Sequence, residues 1–278
     1  MKKFALWSLA FIITLSAAVY QKYTGPTYPK RVNVTVNDKQ YKLKLIRSLA
    51  LDETSEVKLK ISDPSIKAKI YFKRFRSNDE YQVADFIYTA EPKKEGYSAV
   101  VPQQPAAGKL QYYVEISDSK DTKTYLKENP VVIRFKGGVP AYILIPHILC
   151  MFIAMLFSTL AGLMAAVKFP LYKKYALWTL ILFVAGGFIL GPIVQNYAFG
   201  ELWTGIPFGW DLTDNKTLIA LVFWVLAVIM NLKKERPFYT ILAAIILLLV
   251  FSIPHSLFGS ELNITTGQVT QGIILNFF

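Results

Sequence analysis

Two histidines are the residues of this sequence best suited to hold a cofactor. His147 lies in the sequence IPHI and His255 in IPHS, so each follows a proline inside or beside an apolar segment. Two imidazoles that reach one level of a membrane from different helices can bind a b-type haem or share a transition metal ion. The alternative is that each imidazole forms a hydrogen bond with a loop carbonyl at the membrane interface.

A second group of candidate residues lies in the loop 195–217, QNYAFGELWTGIPFGWDLTDNKT. The carboxylates of Asp211 and Asp214 could complete a metal site, and the ammonium of Lys216 could bind a haem propionate or another anion. The two acidic residues also suit the N-cap and first turn of a helix. The aromatic residues of the loop suit a membrane–water interface. Both interpretations remain open from the sequence.

Catalytic motifs are missing from the sequence. It contains no GxSxG, no phosphate-binding loop, no HExxH and no CxxC, which are the signatures of common hydrolases, nucleotide-binding enzymes and redox proteins. The single cysteine, Cys150, excludes an intrachain disulfide. Charged residues inside the apolar segments are too few for a typical proton or ion relay. We therefore predict a protein that is not an enzyme.

Four apolar segments would position the candidate residues, and they form a predicted transmembrane module over 140–255. A helix needs about 20 residues to cross the ~30 Å of hydrocarbon. The third segment spans only ~21 Å if it starts at Thr217, so we expect it to begin near Asp214, with Lys216 extending outward. The predicted segments are 140–167, 175–194, 214–231 and 238–254.

The charges around these segments predict their orientation. Lys2 and Lys3 precede an apolar run in residues 1–20, which is either a cleaved signal peptide or an N-terminal transmembrane anchor. The two turns with Lys168, Lys173 and Lys174 and with Lys233, Lys234 and Arg236 fall on the same side as this start. The positive-inside rule then places residues 21–138 and the tail 256–278 outside the cytoplasm.

Alternating apolar and polar residues predict antiparallel strands after a linker at 21–30. Examples are the valines at 32, 34 and 36 and the apolar residues at 110, 112, 114 and 116. About seven or eight such strands indicate an extracytoplasmic β-sandwich over 31–137. Residues 21–138 carry 22 Lys and Arg against 14 Asp and Glu, which suits a charged face near anionic lipid or polymer. A nucleic acid partner is not expected outside the cytoplasm.

Two stretches of the predicted β-domain resemble bacterial fibronectin type III- or immunoglobulin-like modules. They are 70–75, IYFKRF, and 96–114, GYSAVVPQQPAAGKLQYYV, where a Pro/Gly corner precedes an aromatic strand. The segments 203–217 and 254–261 resemble bacterial envelope membrane proteins that join such an outer domain to a C-terminal four-helix membrane bundle. The resemblance implies a scaffold for binding or spacing and implies no activity.

These observations lead to three hypotheses for an α+β multidomain protein of the bacterial inner membrane. In the first, the bilayer holds a non-enzymatic envelope component whose β-sandwich binds or positions a protein partner. In the second, the protein is a small electron carrier with haem b or a metal between His147 and His255. In the third, it transports a small solute.

Overall fold

The computed structural model describes residues 2–254, 260–264, 266–267 and 269–270. It combines apolar helices with β-sheets, so the predicted α+β class is confirmed. The chain divides into a helical unit, which contains residues up to 26 and 139–260, and a β-sheet unit, which contains 27–138 and 261–270.

The helical unit contains five apolar helices within the described residues. Four are long and apolar enough to cross a membrane, and the fifth is shorter at 16 residues. The third of the long apolar helices, residues 172–199, consists of three helical pieces in direct succession. The helices are α1 (Lys2–Thr24), α2 (Ala141–Ala166), α3 (Tyr172–Phe183), a π-helix (Val184–Leu190), α4 (Gly191–Phe199), α5 (Leu212–Met230) and α6 (Pro237–Ser252).

Small residues allow α2 and α6 to pack closely. A Cβ atom added to Gly162 would lie 2.5 Å from the Cβ of Ala244, and Ala161 and Ala243 are fully buried. In lipid, helices associate through such close van der Waals contact because the acyl chains are as apolar as the side chains. Trp224 of α5 is also fully buried and belongs to the same core.

The two basic turns lie at the same end of the helical unit. Tyr172, which starts α3, donates a hydrogen bond of 2.8 Å to Asn231, which ends α5. Lys173 and Glu235 form an ion pair at 3.4 Å. Trp7 of α1 packs edge-on against Tyr175, which brings the N-terminal lysines to this end as well. We call it the basic end.

Helix α1 packs against the helices that follow residue 140, in addition to the four predicted for the module over 140–255. It contacts α2 and α6, and its Gln21 donates a hydrogen bond to the carbonyl of Phe251 at the end opposite the basic end. The helix continues to Thr24, so the predicted linker 21–30 is reduced to the residues between Thr24 and Lys30. Packing against α2 and α6 buries part of the apolar surface of α1, which a helix that stood alone in the membrane would leave exposed to lipid.

The β-sheet unit contains eleven strands between Lys30 and Lys136, more than the predicted seven or eight. Several are short edge strands that lack a long alternating pattern. The strands are β1 (Lys30–Val36), β2 (Lys39–Leu45), β3 (Ser48–Ala50), β4 (Glu56–Leu59), β5 (Lys67–Arg74), β6 (Gln82–Asp85), β7 (Ile87–Thr89), β8 (Gly96–Val100), β9 (Lys109–Ser117), β10 (Thr122–Tyr125) and β11 (Val131–Lys136).

The strands form two sheets and a hairpin around one core. One sheet has the order β3-β11-β9-β5-β6 with β10 also paired to β9, the second is β4-β8-β7, and β1 pairs with β2. All pairs are antiparallel except β3 with β11. Inward residues such as Val34, Leu43, Ile70 and Val114 are at most 1% exposed and share one core, as the alternating pattern predicts.

Polar side chains fix the turns at one edge of this unit. Asp118 accepts hydrogen bonds from the backbone N–H groups of Asn37, Lys120 and Asp121 at 2.9–3.0 Å. These bonds favour the carboxylate and lower the pKa of Asp118 to about 2. Tyr97 donates its hydroxyl to the carbonyls of Asp63 and Ile66.

Part of the tail belongs to the β-sheet unit, whereas the sequence suggested a separate tail over 256–278. Glu261 lies 2.6 Å from the ammonium of Lys109, and the backbone N–H of Leu262 donates to the carbonyl of Ala107 at 3.1 Å. Burial lowers the pKa of Lys109, and Glu261 opposes that shift. Two further short strands, β12 (Glu261–Leu262) and β13 (Val269–Thr270), pair with each other.

Candidate functional site

The start of α5 is organised by a buried carboxylate. Asp211 is 3% exposed and is the N-cap of this helix, where its Oδ1 accepts hydrogen bonds from the N–H groups of Thr213 at 2.7 Å and Asp214 at 3.3 Å. Such a cap satisfies donors that the first helical turn leaves free. Ser260 Oγ lies 3.5 Å from the second oxygen, Oδ2. The N-cap interpretation of Asp211 matches this geometry.

Asp214 is the acceptor around which the preceding loop is built. It is 6% exposed, and its Oδ2 accepts hydrogen bonds from Thr204 N–H at 2.7 Å, Thr204 Oγ1 at 3.2 Å and Gln195 Nε2 at 3.2 Å. Gln195 also donates to Thr204 Oγ1 at 2.8 Å. Gln195 and Thr204 were not predicted as site residues, because they lie 19 and 10 residues before Asp214 and form no recognisable sequence pattern with it.

Two glycines allow the loop to lie close to the start of α5. A Cβ atom on Gly205 would lie 2.6 Å from Asp214 Cβ, and one on Gly209 would lie 2.4 Å from the carbonyl oxygen of Thr204. Asn215 Oδ1 accepts a hydrogen bond from the N–H of Ile206 at 2.7 Å. The Gly/Pro content of this loop therefore produces one defined shape.

The aromatic residues of the loop have two different environments. Trp203 packs on Phe188 of the π-helix, with 5.6 Å between ring centroids, and its indole donates to the carbonyl of Ile206. Phe208 and Trp210 are 82% and 63% exposed. The two exposed rings have the chemistry expected at a lipid–water interface.

Lys216 is buried, although the sequence suggested that it extends outward. It is 4% exposed, and its ammonium donates to the carbonyl of Ile253 at 2.9 Å. Ile253 is the C-cap of α6, where an unsatisfied carbonyl and the negative end of the helix dipole attract a cation. Lys216 therefore joins the start of α5 to the end of α6.

His147 lies in the second turn of α2 and is half-buried. Its Nδ1 forms a hydrogen bond of 2.9 Å with the carbonyl oxygen of Gly186 in the π-helix, which leaves Nε2 as the other ring nitrogen. Pro192 follows this π-helix and has no N–H to donate to the preceding turn, a common cause of such local widening. The partner of His147 is therefore a carbonyl within a helix, whereas the predicted alternative to a cofactor site was a loop carbonyl.

The predicted cofactor and metal sites remain predictions. His255 lies outside the described residues, so the distance between the two imidazoles is not defined. Within residues 2–254 and the described parts of the tail, no group of three or more His, Cys, Asp or Glu side chains could hold a metal ion. Asp211 Oδ1, Asp214 Oδ2 and the ammonium of Lys216 are engaged in hydrogen bonds.

The residues Gln195, Thr204, Asp211, Asp214 and Lys216 together form what we call the loop cluster. Its hydrogen bonds join the end of α4, the loop, the start of α5 and the end of α6. The two aspartates and the lysine of this cluster are each less than 10% exposed. Such a network fixes the end of the helical unit opposite the basic end.

Comparisons with known proteins gave no match to a family model, to a curated protein or to a solved structure.

Proposed function

We propose that this chain is a non-enzymatic integral membrane protein of the bacterial inner membrane, whose helical unit anchors a β-domain outside the cytoplasm. In this proposal the β-domain is a fibronectin type III- or immunoglobulin-like sandwich that binds or positions a protein partner. Four helices of spanning length and a fifth shorter apolar helix support the anchoring role.

The distribution of charge supports the orientation. Lys2, Lys3 and both basic turns lie at one end of the helical unit, and cytoplasmic loops carry an excess of Lys and Arg. The chain enters the β-domain after Thr24 and leaves it before Ala141, both at the opposite end. The β-domain would then be extracytoplasmic.

One aromatic surface of the β-domain is the observation that carries the binding role. On the face of the large sheet turned away from the core, Tyr71 of β5 lies directly between Val83 of β6 and Tyr113 of β9. Tyr71 and Tyr113 stack with centroids 4.8 Å apart, and Tyr81 packs against Tyr113, so that Tyr113 is only 8% exposed and supports the rings of Tyr71 and Tyr81. We call these four residues the tyrosine face.

The tyrosine face has the composition of a protein-binding surface. Tyrosine contributes rigid contact area and a hydroxyl, and it is enriched at the centres of interfaces. Lys73 lies over the ring of Tyr81 at 5.1 Å and Gln111 donates to its hydroxyl at 2.6 Å, so the ring is held in place. Val83 is 55% exposed on β6, which ends the described order of the large sheet. An edge strand of this kind can pair with a partner strand.

A site-specific photocrosslinker tests this role in intact cells. We expect a benzophenone amino acid at Val83 to give one discrete protein adduct, because the partner would lie against this edge. The same amino acid at Val100, which is 64% exposed in the other sheet, is the matched control and should give none. Adding Tyr81→Ala should weaken the Val83 adduct. Equal adducts at both positions, or none at either, would contradict the proposal.

A further inference from the structure

We propose that a second surface of the β-domain binds the anionic headgroups of phospholipids. This surface is the outer side of the β1–β2 hairpin and of β4. The proposal rests on the proposed anchoring of the chain in a membrane. We call this surface the basic face. Its members are Arg31, Lys42, Lys44, Lys58 and Lys60.

The strands turn these residues away from the core. On β2, Leu43 and Leu45 are at most 1% exposed while Lys42 and Lys44 are exposed. On β4 and directly after it, Val57, Leu59 and Ile61 are fully buried while Lys58 and Lys60 are exposed. Strands β2 and β4 contact each other and share one core. Cα atoms of β2 and β4 approach within 8 Å, which is closer than the ~10 Å between sheets packed face to face. The two strands are therefore lateral neighbours, and their alternate lysines lie on one outer side.

The positive charge of the basic face is largely uncompensated. Within the described part of the chain, Lys42, Lys44 and Lys60 form no ion pair, and only Lys58 has a carboxylate nearby, that of Glu56 at 2.9 Å. The outer side of the large sheet differs, because Lys69 lies directly opposite Asp85 on one neighbouring strand and Glu115 on the other. The lysines of the basic face thus give this side of the β-domain a positive charge that is complementary to a negative surface.

The length of the connection favours lipid headgroups over a soluble polyanion. Only five residues separate the end of α1 from strand β1, which carries Arg31, and five residues reach at most about 18 Å. Anionic headgroups attract basic segments within about a Debye length of the surface, roughly 8–10 Å at moderate salt. A surface tethered at such a distance meets headgroups at high local concentration.

Lysine acetylation of the full-length protein in nanodiscs tests the proposal without any substitution. The protein is placed in nanodiscs of phosphatidylcholine alone or with phosphatidylglycerol, and the acetylation rate of each lysine is measured by mass spectrometry. We expect acetylation of Lys42, Lys44 and Lys60 to be about fivefold slower with phosphatidylglycerol, the change given by the binding free energy of roughly one basic residue. High salt should reverse the effect.

Lys67, Lys69 and Lys73 on the large sheet are the internal controls and should react equally in both nanodiscs. Equal rates for the basic face, or a uniform decrease at all lysines, would overturn the proposal. Protection by added polyphosphate in phosphatidylcholine nanodiscs, with none from phosphatidylglycerol, would also overturn it and indicate a polymer ligand. Recovery of the protein in the nanodisc is measured separately, so a failure to insert into lipid, which would contradict the proposed anchoring, is distinguished from a failure of headgroup binding.

Discussion

The substitution Asp214→Ala is expected to destabilise the helical unit by about 3 kcal/mol, because charged acceptors of buried hydrogen bonds contribute more than neutral ones. Three bonds to Asp214 Oδ2 would be lost, and the N–H of Thr204 and the amide of Gln195 would remain partly buried without this acceptor. The loop should become open to proteolysis near Gly205. The measurement is the thermal unfolding midpoint of the purified protein in detergent, followed by limited proteolysis.

Glu201→Ala is the matched control for this substitution. Glu201 is an exposed carboxylate in the same loop, and its removal should leave the unfolding midpoint and the proteolysis pattern unchanged. Asp214→Asn should be intermediate, since its amide keeps one acceptor oxygen for Thr204 but turns a second donor towards Gln195. Equal midpoints for Asp214→Ala and Glu201→Ala would show that the loop cluster does not stabilise the helical unit.

The substitution Gly162→Ala is expected to destabilise the contact between α2 and α6 by about 2 kcal/mol, within the usual cost of overpacking. The added Cβ would lie 2.5 Å from Ala244 Cβ, whereas non-bonded carbon atoms prefer about 3.5–4.0 Å. The two helices would have to separate by about 1 Å. The energetic cost of this separation exceeds the helix-propensity gain of roughly 0.5–1 kcal/mol that alanine provides over glycine. The thermal unfolding midpoint measures this loss.

A compensating substitution makes this test specific. Ala244→Gly removes the methyl group that the new Cβ would meet, so the double variant Gly162→Ala/Ala244→Gly should recover most of the lost stability. The coupling between the two positions isolates their contact from other effects of each change. Strictly additive losses would indicate that the helices do not meet at these residues.

The sequence predicted the elements that have a strong local pattern. The start of α5 near Asp214 followed from helix length and from aspartates that suit a cap, and the structure begins the helix at Leu212 with Asp211 as the cap. The inward residues of β1, β2, β5, β9 and β11 followed from alternation. These features depend on neighbouring residues, so one sequence contains enough information for them.

The features that the sequence did not predict depend on long-range contacts. The burial of Lys216 results from the carbonyl of Ile253, which lies 37 residues away, and the contact between Lys109 and Glu261 joins residues 152 apart. Local patterns carry no information about such pairs. The π-helix had a usable signal, because Gly186 and Gly187 followed closely by Pro192 weaken a regular α-helix.

Cysteine accessibility in spheroplasts is the most direct test of the central claim that the β-domain and the basic turns lie on opposite sides of a membrane. In a Cys150→Ser background, one cysteine is introduced at Asn129 in the β-domain or at Lys233 in the turn after α5, both exposed. We predict that a membrane-impermeant maleimide labels Asn129→Cys in intact spheroplasts and Lys233→Cys only after lysis. Labelling of both positions before lysis, or of Lys233→Cys alone, would contradict the account.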